Sequence, residues 1–372
     1  MKNTPFTRFF ASGLILALLL GGVARVGHAV EMSVTKTATP SPVLRGDTVH
    51  YTVTITNTTA PAVPLSNVQF TDALDANTTL VAGTIQVSPV AVDDSYQATG
   101  NVSISVPVGS GLLANDFLGM GSVGTITAFD AASANGGTVA VTTSGVNAGA
   151  FTYNPPRGFT GSDTFHYTLT NSTGSSIATV TVAVSNVIWF IDNSAGAAGN
   201  GTLATPYNAL SLFNTAQGAG GLNPKAGDVI FIYHLAGNYS SGIALLSNQR
   251  LVGQGVALSS NLGFTLAANS AALPAAGTNP TLTNAGGAAI ALGDGSTVLG
   301  VTVNNGTQTG ITGTVNSATV DTTVSVTTTS GTGFNLGAGN GAVTFGAPIN
   351  TTTGRSVKAC PRSRGSTIRT RA

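Results

Sequence analysis

The chain has a single cysteine in 372 residues, Cys360, and it stands in the final stretch. That excludes a disulfide framework and any zinc–thiolate site in the body. Charged residues are nearly as scarce, at 7%, and aromatics reach only 6% with one tryptophan. The histidines are His28, His50, His166 and His234, and no pair of them has metal-ligand spacing. No Ser/His/Asp set and no phosphate-cradling glycine loop is present. The formal net charge of +1 conceals a division. All 13 acidic residues lie from Glu31 to Asp321, where only Lys36, Arg45, Arg157, Lys225 and Arg250 oppose them, so the body carries eight excess negative charges. A body of that sign repels phosphate backbones, which excludes nucleic acid as a partner. It is compatible with cation binding and with solubility outside a cell.

What the chain does have is glycine, 48 of them, with Val, Thr, Ala, Asn and Ser making up most of the rest. Thr and Val favour strands, Gly and Asn favour turns, and helical periodicity is nearly absent, so the fold class is all-β. Residues 1–29 read as a secretory signal: Lys2 and Arg8 precede a 12-residue apolar run from Phe9 to Leu20, and Gly27-His28-Ala29 supplies small residues for cleavage. Twelve residues are too few to span a bilayer, and no other segment is long and apolar enough. A cysteine-free, exported, Thr- and Asn-rich β chain fits a bacterial surface protein.

Three β units follow. In the first, 30–89, TVHYTVTIT alternates, with Val49, Tyr51, Val53 and Ile55 on one face and His50, Thr52 and Thr54 on the other. A second strand is expected over 67–72, with Val68 and Phe70 inward, and Pro40, Pro42, Pro61 and Pro64 mark turns. The runs SVTKTATP, RGDTVHYTVTITNTT and NVQFTDAL resemble the DUF11 repeat of bacterial surface proteins, which implies an immunoglobulin-like spacer. Arg45-Gly46-Asp47 spells an integrin-binding tripeptide but is read as the turn before a strand. In the second unit, 90–186, AVDDSY, GLLANDF, GAFTYNPPRGFTGSDTFHYTLTN and ATVTVAV are similar to cadherin-like bacterial immunoglobulin repeats. The resemblance implies a Greek-key sandwich. Phe165, Tyr167 and Leu169 should share its inner face.

The third unit, 187–354, opens with IWFIDNSAGAAGNGTLATPYNALSLFN, which resembles the entry segment of pectin-lyase-like right-handed parallel β-helices. Thr205 is the expected N-cap and Pro206 the first residue of a helix whose Ala209, Leu212, Phe213 and Ala216 form an apolar stripe. Such a helix would cover the open end of a solenoid. Apolar residues then recur at one-coil intervals: Ile290, Ile311 and Phe334, and Val303, Val324 and Phe345. Each set is expected to stack. The remaining 355–372 carries six basic residues and breaks the pattern, as a frameshifted tail would; a native basic anchor tail is the rival reading.

Candidate ligands for calcium are Asp93, Asp94, Asn115, Asp116 and Asp163, because calcium takes carboxylate and amide oxygens at strand–loop junctions. LAND also looks like a shortened cadherin calcium motif; turn capping is the competing role for these residues. In 187–354 the acids Asp294 and Asp321 are 27 residues apart, a poor fit to a 21-residue coil, and Asp228 adds little. No catalytic residue is assigned. The expected function is an exported, non-catalytic structural or adhesion protein that presents a β-helix on immunoglobulin-like spacers. Its partners would be ligands or glycans on host or neighbouring cells. The alternative is a fragment of a β-helix polysaccharide lyase or hydrolase whose active coils are missing.

Overall fold

The computed structural model describes residues 32–39, 45–58, 78–217, 219–234, 237–337, 343–346, 348–354, 356–359 and 368–370. The signal segment 1–29, the strand expected over 67–72, Cys360 and most of the final basic stretch lie outside these residues. The fold is nearly all β. No helix among the described residues is long and apolar enough to cross a membrane. The chain divides into two compact units, Met1–Thr84 and Ile85–Ala372.

In the first unit Met32–Thr39 pairs antiparallel with His50–Asn57, in register from Met32 opposite Asn57 to Thr39 opposite His50. Arg45 and Gly46 form the exposed turn before the second strand, with Gly46 in the left-handed region at φ +98°. The burial alternation predicted for this strand is not observed, because its apolar face is largely uncovered among the described residues. Val53 is half-buried while Tyr51 and Ile55 are exposed. Lys36 rests over the Tyr51 ring, 4.4 Å from its centroid.

The second unit begins as a two-layer sandwich. One layer contains Thr125–Phe129, Gly161–Asn171, Gly174–Ile191 and Asp94–Gly100. The other contains Ile104–Val106, Phe151–Asn154 and Thr138–Val141. Between them Phe151, Tyr153, Phe165, Tyr167, Val180 and Val182 form one core. The predicted inner face of Gly161–Asn171 is observed, with Phe165, Tyr167 and Leu169 all buried.

The strand Gly174–Ile191 does not stop at the sandwich. Its last four residues pair in parallel with Val229–Ile232, and from there a first sheet continues through Arg250–Gly253, Ser296–Leu299, Ala318–Val320 and Val343–Phe345 to Ile368–Thr370. A second parallel sheet runs Thr281–Leu282, Thr302–Asn304, Ser325–Thr328, Ile349–Thr351. A third runs Ile243–Ala244, Ile290–Ala291, Ile311–Gly313, Phe334–Leu336, Val357–Ala359. From Ser296 onward the chain visits the first, second and third sheets in turn and then repeats. Equivalent apolar residues therefore lie above one another, and burial of each row against the next supplies the driving force.

The predicted row Ile290, Ile311, Phe334 is observed as register partners in the third sheet, all fully buried. The second predicted row is corrected. Val303 faces Val326, which faces Ile349, and Phe345 belongs to the first sheet in a row with Leu251, Val298 and Val320. Val324 is buried at a corner just before its strand. A fixed interval fails because the connections differ in length, so the spacing from rung to rung drifts while the register of the sheets is kept.

The helix is also corrected. It covers Leu210–Gln217, later than predicted. Thr205 is not its cap: its hydroxyl donates to Asn200 Oδ1 at 2.6 Å within a loop. Tyr207 forms a parallel bridge to Ile191, so Pro206 and Tyr207 are held extended against the sheet. Leu210 and Phe213 face the core, with Ala216 packed against it, whereas Leu212 is exposed. The tail expectation meets a further difference. The backbones of Val357–Ala359 and Ile368–Thr370 pair in register with Phe334–Leu336 and Val343–Phe345.

Candidate functional site: the acid cluster of the sandwich

Asp93 and Asp94 stand at the start of the strand Asp94–Gly100, and Asn115 and Asp116 on the loop that follows Leu112. The fold brings these four together. Asn115 Nδ2 donates to the carbonyl of Asp93 at 3.2 Å. Asp116 Oδ1 accepts from the Val92 amide at 2.7 Å, and its Oδ2 accepts from the Tyr167 hydroxyl at 2.8 Å. Asp93 turns to the sheet, where its Oδ1 accepts from the Thr179 amide at 2.7 Å.

Asp94 is the exception in this group. Tyr96 donates weakly to its Oδ1 at 3.4 Å, while its Oδ2 is buried with no hydrogen-bond partner. Burial, with the charge of Asp116 adding to it, pushes the Asp94 carboxyl up to about 7. Burial also raises Asp116. Two carboxylates that cannot both ionise freely will hold a proton or attract a cation. Among the described residues no three acidic, histidine or cysteine side chains converge as a metal-binding group. Two carboxylates meet here, with amide and carbonyl oxygens around them.

Asp163 is placed elsewhere and shares no partner with the other four. It is 1% exposed and its oxygens are fully used. They accept from Ser133 at 2.5 Å, Tyr153 at 2.7 Å, and the backbone amides of Asn135 and Thr164 at 2.9 Å each. Burial acts to raise its pKa, but the bonds from Ser133, Tyr153 and Asn135 together outweigh it and hold the carboxyl below the ordinary value.

The acids of the three-sheet region hold turns. Asp294 is half-buried, and its Oδ1 accepts from the amides of Asn316 and Ser317, one winding on, at 2.9 and 2.8 Å. Asp321 Oδ1 accepts from the Thr323 amide at 2.9 Å. Asp228 carries more than its sequence context signals. It is buried, and it accepts from the Trp189 indole at 2.8 Å and from the Lys225 amide at 2.9 Å. Arg157 lies within a run read as a family motif that assigns it no role, although it is one of only five cations in an acidic body. Its guanidinium lies 5.5 Å from the Trp189 ring centroid and donates to Tyr207 Oη at 3.1 Å and to Asn223 Oδ1.

Comparison with known proteins is consistent with the first half of this architecture. Residues 86–183 match the family model for a bacterial Ig domain. No curated protein and no solved structure matches the chain.

Proposed function

We propose that this chain is an exported, non-catalytic surface or adhesion protein of a bacterium, built from a DUF11-like unit, an Ig-like sandwich and a right-handed parallel β-helix. The match of 86–183 to a bacterial Ig domain carries this assignment, because such domains are typical of surface proteins. The outward rows of the three-sheet region support it. Thr297, Thr319 and Thr344 are register partners on the first sheet, and Asn304, Thr327 and Asn350 on the second. They present shallow polar strips suited to broad contact with a ligand or glycan. The acids of that region are engaged in turns, which leaves them poorly placed for paired-carboxylate hydrolysis.

Protease shaving of intact expressing cells, with detection of released peptides, tests exposure. Release is expected, and full protection on intact cells overturns the assignment. Purified chain should bind neighbouring cells or immobilised glycans without turnover. Steady release of reducing ends or unsaturated sugar overturns the non-catalytic part.

The buried, unpartnered Asp94 Oδ2 beside Asp116 favours a second reading for the sandwich, a calcium ion at this pair with Asn115 and nearby carbonyls completing its shell. Calcium should then raise the melting temperature at pH 8, magnesium should not, and Asp94→Asn should abolish the effect. No shift with calcium at pH 8 ends this reading.

A further inference from the structure

A parallel sheet presents unpaired amide and carbonyl edges at its first strand, and an uncovered edge recruits other chains. Here all three sheets begin against something. The first sheet has no beginning of its own, because Gly174–Ile191 pairs with Gly161–Asn171 in the sandwich and with Val229–Ile232 beyond it. The second starts with a bridge, where Tyr239 pairs with Leu282. On the third, the helix side chains Asn214 and Gln217 donate to the carbonyls of Gly242 and Ala244, at 2.7 and 2.6 Å.

The sandwich and the windings are also interlocked away from that strand. Residues of the long connection after Arg250–Gly253 return to the sandwich: the Ala271 amide donates to Ser103 O and the Ser105 amide to Asn269 O, both at 2.8 Å. Val102, from the sandwich, sits in one core with Ile188, Phe190, Val229, Phe231, Val252 and Leu258. Asn101 is 1% exposed with φ +67°, and its side chain accepts from the Gly158 amide and donates to Ile188 O. Gly100 permits the close approach, since a Cβ there would lie 2.8 Å from Asn186 O and 3.0 Å from Phe159 O. Arg157 then spans from the sandwich to Trp189, Tyr207 and Asn223.

We infer that the bacterial Ig domain is the N-terminal cap of the first sheet of the three-sheet region, and that the two fold and unfold as one cooperative body in place of a spacer with a separate passenger. The family match ends at 183, inside the strand that both parts share. A flexible joint has no place there: the strand crosses from one part to the other with a single bulge, at Asn186 with φ +57°, and Val184 and Val187 on either side of it are buried. The sandwich thus serves to terminate the sheet edge and to template the first winding.

Hydrogen exchange of the intact chain across a denaturant series tests this. The strand Gly161–Asn171 and the strands Val229–Ile232 and Arg250–Gly253 should lose protection at one common midpoint. Arg157→Ala should lower both together. Val146→Ser, at a turn residue 93% exposed, should lower neither. Inserting a four-residue Gly-Ser segment between Asn186 and Val187 should split the single midpoint into two. Separate midpoints in the unaltered chain, a shift confined to one part in Arg157→Ala, or a single midpoint that survives the insertion would each overturn it.

Discussion

The sandwich and the three-sheet region reach a unique structure by different means. In the sandwich, polar anchors fix the layers. Tyr153 donates to Asp163, and the single proton of the Tyr167 hydroxyl is within reach of both Asp116 Oδ2 and Leu112 O, at 2.8 and 2.9 Å. Register there is local, as Gly161–Asn171 and Gly174–Ile191 turn back on one another through a short hairpin. In the windings the core rows are apolar apart from the buried Ser296, in register with Ala318, and the pairings join residues a full winding apart. Corners carry polar order, as at Asn305, which is 5% exposed, accepts from the Asn284 amide and donates to Gly287 O and Thr309 O. Buried carboxylates therefore add a pH-dependent contribution to the apolar core of the sandwich, whereas the stacked rows of the windings rest on apolar burial.

The largest way to test this contrast is Phe334→Ala. Phe334 is fully buried in register between Ile311 and Val357, and its ring meets Phe345 edge-on at 4.2 Å. Removing it leaves a cavity in a row that cannot close without breaking register. A loss of about 3–5 kcal/mol is expected, read from the denaturant midpoint, with no dependence on pH between 4 and 8. A pronounced pH dependence of that loss would mean that ionisable groups also stabilise the windings.

Asp163→Ala is the counterpart in the sandwich. It strands the buried hydroxyls of Tyr153 and Ser133 and two backbone amides, for a loss of roughly 3 kcal/mol at neutral pH. Because the folded carboxyl is held below its ordinary value, the contribution of Asp163 is complete above the unfolded pKa. It disappears as pH falls through the lower, folded one. Unfolding curves of wild type and variant should accordingly converge in acid. Curves that stay parallel to pH 2 would assign the effect to packing alone.

Asp94 should behave in the opposite sense. Its folded pKa of about 7 lies above the ordinary value of 3.8, so the folded state holds the proton more tightly. Stability then falls as pH rises from about 4 to about 7 and levels off above that. Asp94→Asn removes the penalty while keeping an acceptor for Tyr96. With allowance for partial exposure to solvent, the variant should be more stable by about 1 kcal/mol at pH 8 and equal to wild type near pH 4. A melting temperature unchanged or lowered at pH 8 would show that the pair is not in conflict.

How far these features could be read from the residues differs in the same way. Alternation in DTFHYTLTN placed Phe165, Tyr167 and Leu169 correctly, since a hairpin strand reports its own burial. The Ile290–Ile311–Phe334 row was equally legible, but Val303 and Phe345 were assigned to one row although they belong to different sheets. A period cannot be read through connections of unequal length. The acid cluster was half legible: Asp93, Asp94, Asn115 and Asp116 come together, while Asp163 anchors another corner. The junction was not legible at all. Arg157, Asn101 and Trp189 act across long sequence separations, and although Arg157 and Trp189 lie in runs read as family motifs, no motif or periodicity names the partners that another layer supplies.

The smallest expected effect is at Asp294, and it separates a turn former from a chemical group. Its carboxyl is held below the ordinary value, first by the backbone bond from Ser317 and then by Asn316, and it remains partly exposed to solvent. Water can answer those two amides when the carboxylate is gone, so Asp294→Ala should leave the global unfolding midpoint unchanged. Exchange at the Asn316 and Ser317 amides should quicken, because their acceptor reaches them from the preceding winding. Binding to cells or glycans should persist if the outward Thr and Asn rows make the contact. Loss of binding in Asp294→Ala, with the midpoint intact, would instead place a charged contact at this corner and move the recognition surface from the flat of the sheets to their edge.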